Sequence, residues 1–280
     1  MTAETKKIGI IAGGGQFPIL FAQAARKEGL TVVAVAHEKE SLPELEQAVD
    51  RFAWVKLGQL GRIISFFQQE GVKETAFLGP ITKTNIFTDV RPDLKGLSLW
   101  NKVDSRQDDS ILRAVAAELA REGIDVIEST RHLRHLMFPK GNLTGRKPTA
   151  RQVEDIRFGW QVARGAGDLD IGQCVVVRNR VVLAVEAIEG TDAAIRRGGE
   201  LGREKTVVIK VKKPNQDFRF DLPAIGLTTV ETMLSVKSAV LAVEAGQALL
   251  FDREQVVRTA AKAKIAIVGV EELADGTLEF

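Results

Sequence analysis

The first 25 residues hold the feature that most limits how this chain can fold. No charged side chain occurs between Ile8 and Ala25, a length close to that of a membrane-spanning helix or of the apolar part of a signal peptide. Three glycines at 13–15, followed by Pro18, would break such a helix in its middle. A buried strand, a glycine turn and a helix account for the same residues, so we predict a soluble α/β fold that begins with this unit.

Composition places the chain among ordinary globular proteins. Apolar residues make up 45% and charged residues 27% of the 280 positions, which excludes a disordered or collagen-like chain. The formal net charge is +2, and neither half forms a basic arm, so nucleic-acid binding is not indicated. Cys174 is the one cysteine, which excludes a disulfide framework and favours a cytoplasmic protein. Because three valines follow it, we interpret Cys174 as an inert core thiol.

Up to residue 130, strand signals alternate with helix signals. Apolar or β-branched runs predict strands, and helical spacing closed by a glycine predicts helices. The predicted strands are 7–12, 31–36, 54–57, 75–78 and 124–127, and the predicted helices are 18–28, 60–70 and 108–121. This alternation is typical of a Rossmann-like, doubly wound parallel sheet. Between Gly79 and Asp104 the alternation lapses, which predicts a long loop.

The composition of residues 131–150 predicts a linker between two domains. Prolines and glycines interrupt them, and no acidic side chain occurs from Arg131 to Arg151. Two interpretations fit this charge: a solvated basic linker, or a contact with phosphate or an anionic bilayer surface. Helix and strand signals then resume, and Arg178 to Arg180 separate two valine-rich runs, as in a β-hairpin. We therefore expect an N-terminal domain at 1–130 and a C-terminal α/β domain with a mixed sheet at 151–280.

The glycine turn near the start is a candidate phosphate site. Main-chain N–H groups of such a turn can approach a phosphate at the start of a helix. A dinucleotide fingerprint needs a third glycine, but Pro18 stands at its position, and Glu38 is the nearest candidate for a ribose-binding acid. An NAD site, another nucleotide or phosphate site, and a merely tight turn all remain open. The candidate binding residues are Gly13, Gly14, Gly15 and Gln16.

Two later segments concentrate charged side chains. Glu186, Glu189 and Asp192 follow an apolar strand. Glu186 either lies on a solvated face or points at a cation, and Asp192 either belongs to the same site or simply begins a helix, with Thr191 as its cap candidate. Further on come Lys213, Asp217, Arg219 and Asp221, which belong either to a solvated loop or to a site. Carboxylates can hold a hard divalent cation, and the cations beside them can neutralise charge on a phosphoryl group. The combination favours hydrolysis of a phosphate ester or a diphosphate.

Five blocks of the sequence resemble the LpxI family of UDP-2,3-diacylglucosamine pyrophosphatases. They are IGIIAGGGQFP from Ile8, DDSILR from Asp108, LDIGQ from Leu169, VLAVEAIEGTDAAIRR from Val182 and KPNQDFRFDLPAIG from Lys213. The blocks follow the family order across nearly the whole chain. The last two blocks are long and distinctive, so a chance match is an unsatisfactory explanation.

The resemblance implies hydrolysis of UDP-2,3-diacylglucosamine to UMP and 2,3-diacylglucosamine 1-phosphate (lipid X) during lipid A biosynthesis in a Gram-negative bacterium. It also implies a divalent cation, Mg²⁺ or Mn²⁺, water attack on the sugar-side phosphorus, and two α/β domains that hold the lipid between them. Asp221 matches the family's essential acid. The other candidates are Asp217, Arg219 and Lys213 for catalysis, Gly13, Gly14, Gly15, Gln16, Thr191 and Arg196 for substrate binding, and Glu186, Glu189 and Asp192 with Asp221 for the metal.

Several further expectations complete this interpretation. Phe87, Leu97, Leu99 and Trp100 either line an acyl path or pack in the core. We expect a homodimer in the cytoplasm, with peripheral contact to the inner membrane, and no nucleic-acid partner. Two rival functions stay open at this point: an NAD-dependent oxidoreductase, and a non-catalytic protein that binds a lipid or sugar nucleotide.

Overall fold

The computed structural model describes residues 6–81, 90–100, 108–214, 216–220 and 222–280. These residues form two compact units. The first contains the chain up to Arg134 together with residues 217–220, and the second contains His135–Gln216 and Leu222–Phe280. Among the described residues, no helix has both the length and the apolar character that crossing a bilayer requires.

The first unit is built on a parallel sheet, as predicted. Within the described residues its strand order is β3-β2-β1-β4-β5, and each neighbouring pair runs parallel. The strands are β1 (Lys7–Ala12), β2 (Thr31–His37), β3 (Arg51–Val55), β4 (Glu74–Leu78) and β5 (Asp125–Val126). The order reverses between β1 and β4, which is where ligands usually bind in doubly wound sheets.

The helices of this unit are α1 (Phe17–Lys27), α2 (Leu45–Ala48), α3 (Leu60–Glu70), α4 (Leu94–Trp100) and α5 (Asp108–Arg121). Two predictions need correction. Strand β3 starts at Arg51 and not at the predicted Trp54. It lies at the edge of the sheet and its first residue is exposed, so the apolar pattern does not extend over the start of the strand. Helix α4 lies inside the predicted loop, where the Asp93 carboxylate accepts the Gly96 N–H at 2.8 Å and caps the helix start.

The second unit has the predicted mixed sheet. In its described part the order is β14-β13-β11-β9-β7-β8, and β6 pairs with β13. Strands β9, β11 and β13 are parallel, and their other neighbours are antiparallel. The strands are β6 (Gly141–Asn142), β7 (Cys174–Arg178), β8 (Val181–Val185), β9 (Val207–Lys210), β11 (Val240–Glu244), β13 (Ala266–Glu272) and β14 (Leu278–Glu279), with β10 (Ala224–Ile225) and β12 (Leu249–Leu250) as a separate parallel pair.

Helices cover both faces of this second sheet. They are α6 (Ala150–Asp168), α7 (Thr191–Gly202), α8 (Leu227–Ser235) and α9 (Arg253–Lys262). One face packs on α6 through Ile156 and Trp160, and the other packs on the remaining helices through Ile195, Val230 and Val256. Strands buried on both faces read as nearly continuous apolar runs, which is why the sequence pattern locates them.

Three predicted features can be placed in this unit. The hairpin between β7 and β8 turns at Asn179 and Arg180, whose positive φ angles are stabilised by N–H donation to the buried Asp155 carboxylate at 3.1 and 2.6 Å. Part of the segment 131–150 joins the fold, since Phe138 is buried in the core and β6 pairs with β13. The Cys174 thiol is fully buried, which agrees with an inert core cysteine.

Candidate active site

Residues from separate sequence blocks meet at one edge of the second sheet. Cys174 at the start of β7 pairs with Lys210 at the end of β9, and the Glu186 N–H donates to the Cys174 carbonyl at 2.8 Å. Gly172 packs against the same place, because a Cβ there would lie 2.0 Å from the Glu186 carbonyl oxygen. The LDIGQ and VLAVEAIEGTD blocks therefore converge at the carboxyl end of β9, the usual position of ligands in α/β sheets.

A chain of hydrogen bonds connects three side chains at this edge. The Lys210 ammonium donates to Thr191 Oγ1 at 3.1 Å, and the Thr191 hydroxyl donates to Glu186 Oε1 at 2.8 Å. Lys210 also donates to the Ala224 carbonyl at 3.0 Å. Lys210 and Glu186 are only 6% and 8% exposed, so opposite charges face each other across a hydroxyl inside the fold.

Two acceptor oxygens near this chain of hydrogen bonds lack a hydrogen-bond donor among the described residues. Gln173 Oε1 and Asp192 Oδ1 are shielded from solvent and have no hydrogen-bond partner among the described residues. Burial raises the pKa of the Cys174 thiol; the charge of Glu186 acts in the same direction, that of Lys210 opposes it, and that of Asp192 adds to it. Buried acceptors without a donor are costly in a finished fold, so these two oxygens are candidates for contact with a ligand or an ordered water.

The predicted metal ligands are only partly brought together. The Glu189 carboxylate accepts from Arg197 at 2.6 Å, and this hydrogen bond lowers the pKa of Glu189. Within the described ranges, no group of three or more histidine, cysteine, aspartate or glutamate side chains could hold a metal ion. Asp221 lies outside the described residues, and so does Asn215.

The start of the block that contains Asp221 is held by an ionic network. The Arg164 guanidinium binds Glu244 and Glu272 with 2.7 Å contacts. It also donates to the Lys212 carbonyl at 3.0 Å, and the Lys212 N–H donates to Glu244 at 2.8 Å. Next to it, the Lys213 ammonium pairs with Asp170 at 2.6 Å. The predicted binding residue Arg196 lies exposed on α7.

The middle of the same block belongs to the first unit. Arg219 binds the Asp217 carboxylate through Nε and a terminal nitrogen, the closest contact being 2.7 Å, and Arg113 lies 3.5 Å from it. The Arg219 hydrogen bond holds the pKa of Asp217 below its usual range, and Arg113 adds to this effect. Phe220 packs edge-to-face on Phe77, with 5.8 Å between ring centroids.

In the first unit, the glycine turn contributes to backbone packing, in addition to any role in binding a ligand. The N–H groups of Gly13 and Gly14 donate to Leu78 and Pro80 carbonyls, each at 2.7 Å. A Cβ on Gly13 would lie 2.4 Å from the Pro80 carbonyl oxygen, so the two turns pack backbone to backbone. Gly15, with φ at 76°, is exposed and has open space above it. Gln16 occupies the N-cap position of α1.

Sequence reasoning assigned no function to two residues at these strand ends. Lys210 could have been found as a lysine that ends the apolar run Val207–Lys210. His37 ends β2, is buried, and places Nδ1 2.8 Å from the Ala12 carbonyl, which the Ser41 hydroxyl also binds. Burial lowers the pKa of His37. Its only sequence signal is its position after a buried strand.

The predicted acyl-path residues differ from one another. Leu97 is 47% exposed on α4, whereas Leu99 packs against the core of the first unit. Trp100 is half-buried, and Phe87 lies outside the described residues.

Comparison with known families and proteins gives a consistent result. The family model described as the LpxI N-terminal domain matches residues 7–136, and the model described as the LpxI C-terminal domain matches residues 139–268. The UDP-2,3-diacylglucosamine pyrophosphatase LpxI of Caulobacter vibrioides is 34% identical over 279 residues, which cover 95% of this chain and 98% of the relative.

Solved structures resemble the chain only weakly. The biotin carboxylase domain of the Hydrogenobacter thermophilus 2-oxoglutarate carboxylase is 11% identical, with a TM-score of 0.29 and coverage of 99% of this chain and 63% of that domain. The N5-carboxyaminoimidazole ribonucleotide synthetase of Thermotoga maritima is 16% identical, with a TM-score of 0.25 and coverage of 65% and 41%. At such scores these similarities carry no argument about fold or function.

Proposed function

The chain belongs to the LpxI family, and from that premise we propose that it hydrolyses UDP-2,3-diacylglucosamine to UMP and 2,3-diacylglucosamine 1-phosphate in lipid A biosynthesis. The observation that carries the proposal is the 34% identity to the Caulobacter vibrioides pyrophosphatase over 95% of the chain. The buried polar edge of the second sheet supports it, because two blocks of the family pattern meet there.

Hydrolysis of the diphosphate needs few covalent changes. A water oxygen forms a bond to the sugar-side phosphorus, the bridging P–O bond breaks, and UMP leaves with the bridging oxygen while the water loses a proton. Negative charge spreads over the phosphoryl oxygens during this displacement, and preorganised cations stabilise it. We assign this role to Lys213 and Arg219, with Arg196 on the substrate, and we assign Asp221 to the water or the cation, assisted by Asp217.

We also propose a divalent cation, Mg²⁺ or Mn²⁺, which would polarise the phosphoryl oxygens and lower the pKa of a bound water. Asp221, Glu186 and Asp192 are the proposed ligands. The donorless Asp192 oxygen and the burial of Glu186 fit a hard cation. Glu189 fits less well, since its carboxylate already binds Arg197. Gly15 and Gln16 remain the proposed contacts to the nucleotide, while Gly13 and Gly14 shape the turn, and Thr191 is proposed to bind substrate beside Glu186.

The lipid nature of the substrate extends the proposal to the cell. Because a diacylated glucosamine resides in a bilayer, we propose that the protein works in the cytoplasm and contacts the inner-membrane surface peripherally. Three exposed large apolar side chains support this contact. Leu169 and Ile171 lie in the loop just before Gly172, and Ile188 lies in the loop just after Glu186. The homodimer stays a prediction.

The test measures UMP release from UDP-2,3-diacylglucosamine by the purified protein. We expect turnover that EDTA abolishes and added Mg²⁺ or Mn²⁺ restores. Asp221→Asn should lose at least about 10²-fold in kcat, the scale expected for one essential charged group, with an unchanged thermal midpoint. Asp275→Asn, which removes an exposed carboxylate in a turn, is the matched control and should keep wild-type activity.

Two results would overturn the proposal. Tight binding of the glycolipid without any UMP would make the protein a carrier. Full activity of a folded Asp221→Asn variant would remove the central residue assignment.

A further inference from the structure

Lys210 connects parts of the second unit that are far apart in sequence. Its ammonium is 6% exposed and donates to Thr191 at the start of α7 and to the Ala224 carbonyl in β10. Thr191 in turn binds Glu186 at the end of β8. One side chain thus joins the VLAVEAIEGTD block to the DLPAIG block.

The burial of this charge calls for a physical reason. An apolar side chain of similar volume is often as stable as a buried ion pair, or more stable, because it needs no desolvation of charge. The neighbouring positions of β9 follow that rule, since Val207, Val208 and Ile209 are fully buried. Stability alone therefore does not explain a lysine at the end of this strand.

The contacts of β10 define what the lysine adds. The backbone already holds β10 to β12, because the Leu249 N–H donates to the Pro223 carbonyl at 2.7 Å and the Phe251 N–H donates to the Ile225 carbonyl at 2.9 Å. The Ala224 carbonyl is directed instead to Lys210. Ala224 follows Asp221 by three positions, so this bond ties the backbone beyond Asp221 to Thr191 and Glu186.

We infer that Lys210 is a positioning residue for the proposed hydrolysis: it fixes the segment that follows Asp221 relative to the Glu186–Thr191 pair. The inference rests on the proposed function for its effect on turnover, but the tie itself is a property of the fold. Misplacement of catalytic groups by about 1 Å can cost 10²-fold in rate, which sets the expected size of the effect.

The first experiment is kinetic. Lys210→Met should lower kcat about 10²-fold and change KM less than about threefold, since the loss concerns geometry in the transition state rather than substrate affinity. Thr191→Val, which keeps Lys210 and its bond to Ala224, should also lower kcat. The kcat of the double variant should fall little below that of Lys210→Met, because both changes break one chain of contacts.

Lys7→Met is the control. Lys7 also donates to a backbone carbonyl, that of Glu70 at 2.6 Å, but it lies at the opposite end of β1 from the glycine turn. This variant should keep the wild-type kcat.

The second experiment does not depend on activity. Hydrogen exchange in Lys210→Met should accelerate in peptides covering residues 191–194 and 222–226 and stay unchanged in β11 and β13. A folded Lys210→Met with kcat within twofold of wild type, or with unchanged exchange in these peptides, would overturn the inference, and so would fully multiplicative losses in the double variant. If the wild type releases no UMP while the exchange changes occur, the proposed function fails and the tie stands. If Lys210→Met does not fold, Lys210→Gln, which removes the ammonium but keeps a polar side chain, decides the kinetic and exchange outcomes by the same criteria.

Discussion

At the residue scale, burial fixes the chemical state of His37. The Ala12 carbonyl can only accept, so the ring nitrogen Nδ1, 2.8 Å away, has to carry the hydrogen. Burial lowers the pKa of His37, and only Glu40 and the Ala12 bond oppose this shift. The imidazole is therefore neutral at pH 7, and its protonation destabilises the folded state.

This gives a pH dependence of known sign. The pKa of His37 is lower in the folded state than its unfolded value of about 6.5, so below that pH the unfolded chain binds more protons and the first unit loses stability as the pH falls. His37→Asn keeps an amide donor for Ala12 but does not titrate. Between pH 7.5 and 5.5, urea unfolding should show a smaller loss of unfolding free energy for His37→Asn than for wild type. Equal losses in the two proteins would contradict this assignment.

At the element scale, glycines set how closely helices approach the second sheet. A Cβ on Gly198 of α7 would lie 2.5 Å from the Val176 Cβ, and a Cβ on Gly159 of α6 would lie 2.5 Å from Ile209 Cδ1. Gly165, also on α6, is exposed and has open space around it. The same residue type therefore has opposite consequences at different helix positions.

A pair of alanine variants tests this difference. Gly198→Ala should destabilise the protein by about 1–3 kcal/mol, because the added methyl overpacks a strand contact. Gly165→Ala should stabilise it by about 0.5–1 kcal/mol, because alanine loses less backbone entropy in a helix and meets nothing. Guanidinium denaturation of both variants measures these changes. A stabilising Gly198→Ala would show that α7 can move away from β7 without cost.

The elements that could be predicted are those whose signals are local. Helix α3 runs over Leu60–Glu70 and ends at Gly71, as predicted, because helical spacing and a glycine with φ of 72° mark it. Helix α4 was missed because its start, around Pro92 and Asp93, has the composition of a turn. The partners of Lys210 cannot be predicted in this way, since they come from Thr191 and Ala224 at distances that local patterns do not encode.

At the scale of the whole molecule, the domain boundary is not a single point in the sequence. Residues 217–220 belong to the first unit although the chain on both sides of them belongs to the second. Within the first unit the Ser129 hydroxyl and N–H both donate to the Phe218 carbonyl, at 3.1 and 3.3 Å. A linear division at 130 and 150 cannot represent such a return of the chain, because charge and periodicity carry no information on which core a short segment enters.

Phe220 provides the test of this division. It is 8% exposed and lies in the core of the first unit with Phe77, whereas Phe138 is buried in the core of the second unit. Removing a buried phenylalanine ring costs about 3–5 kcal/mol, and in native-state hydrogen exchange the loss appears in the unit whose core is damaged. Phe220→Ala should therefore reduce protection in β1 and β2, which precede it by about two hundred residues, while Phe138→Ala should reduce protection in β7 and β9. If Phe220→Ala instead reduced protection only in β7 and β9, the ring would belong to the second core, and the chain would divide once, between its two halves.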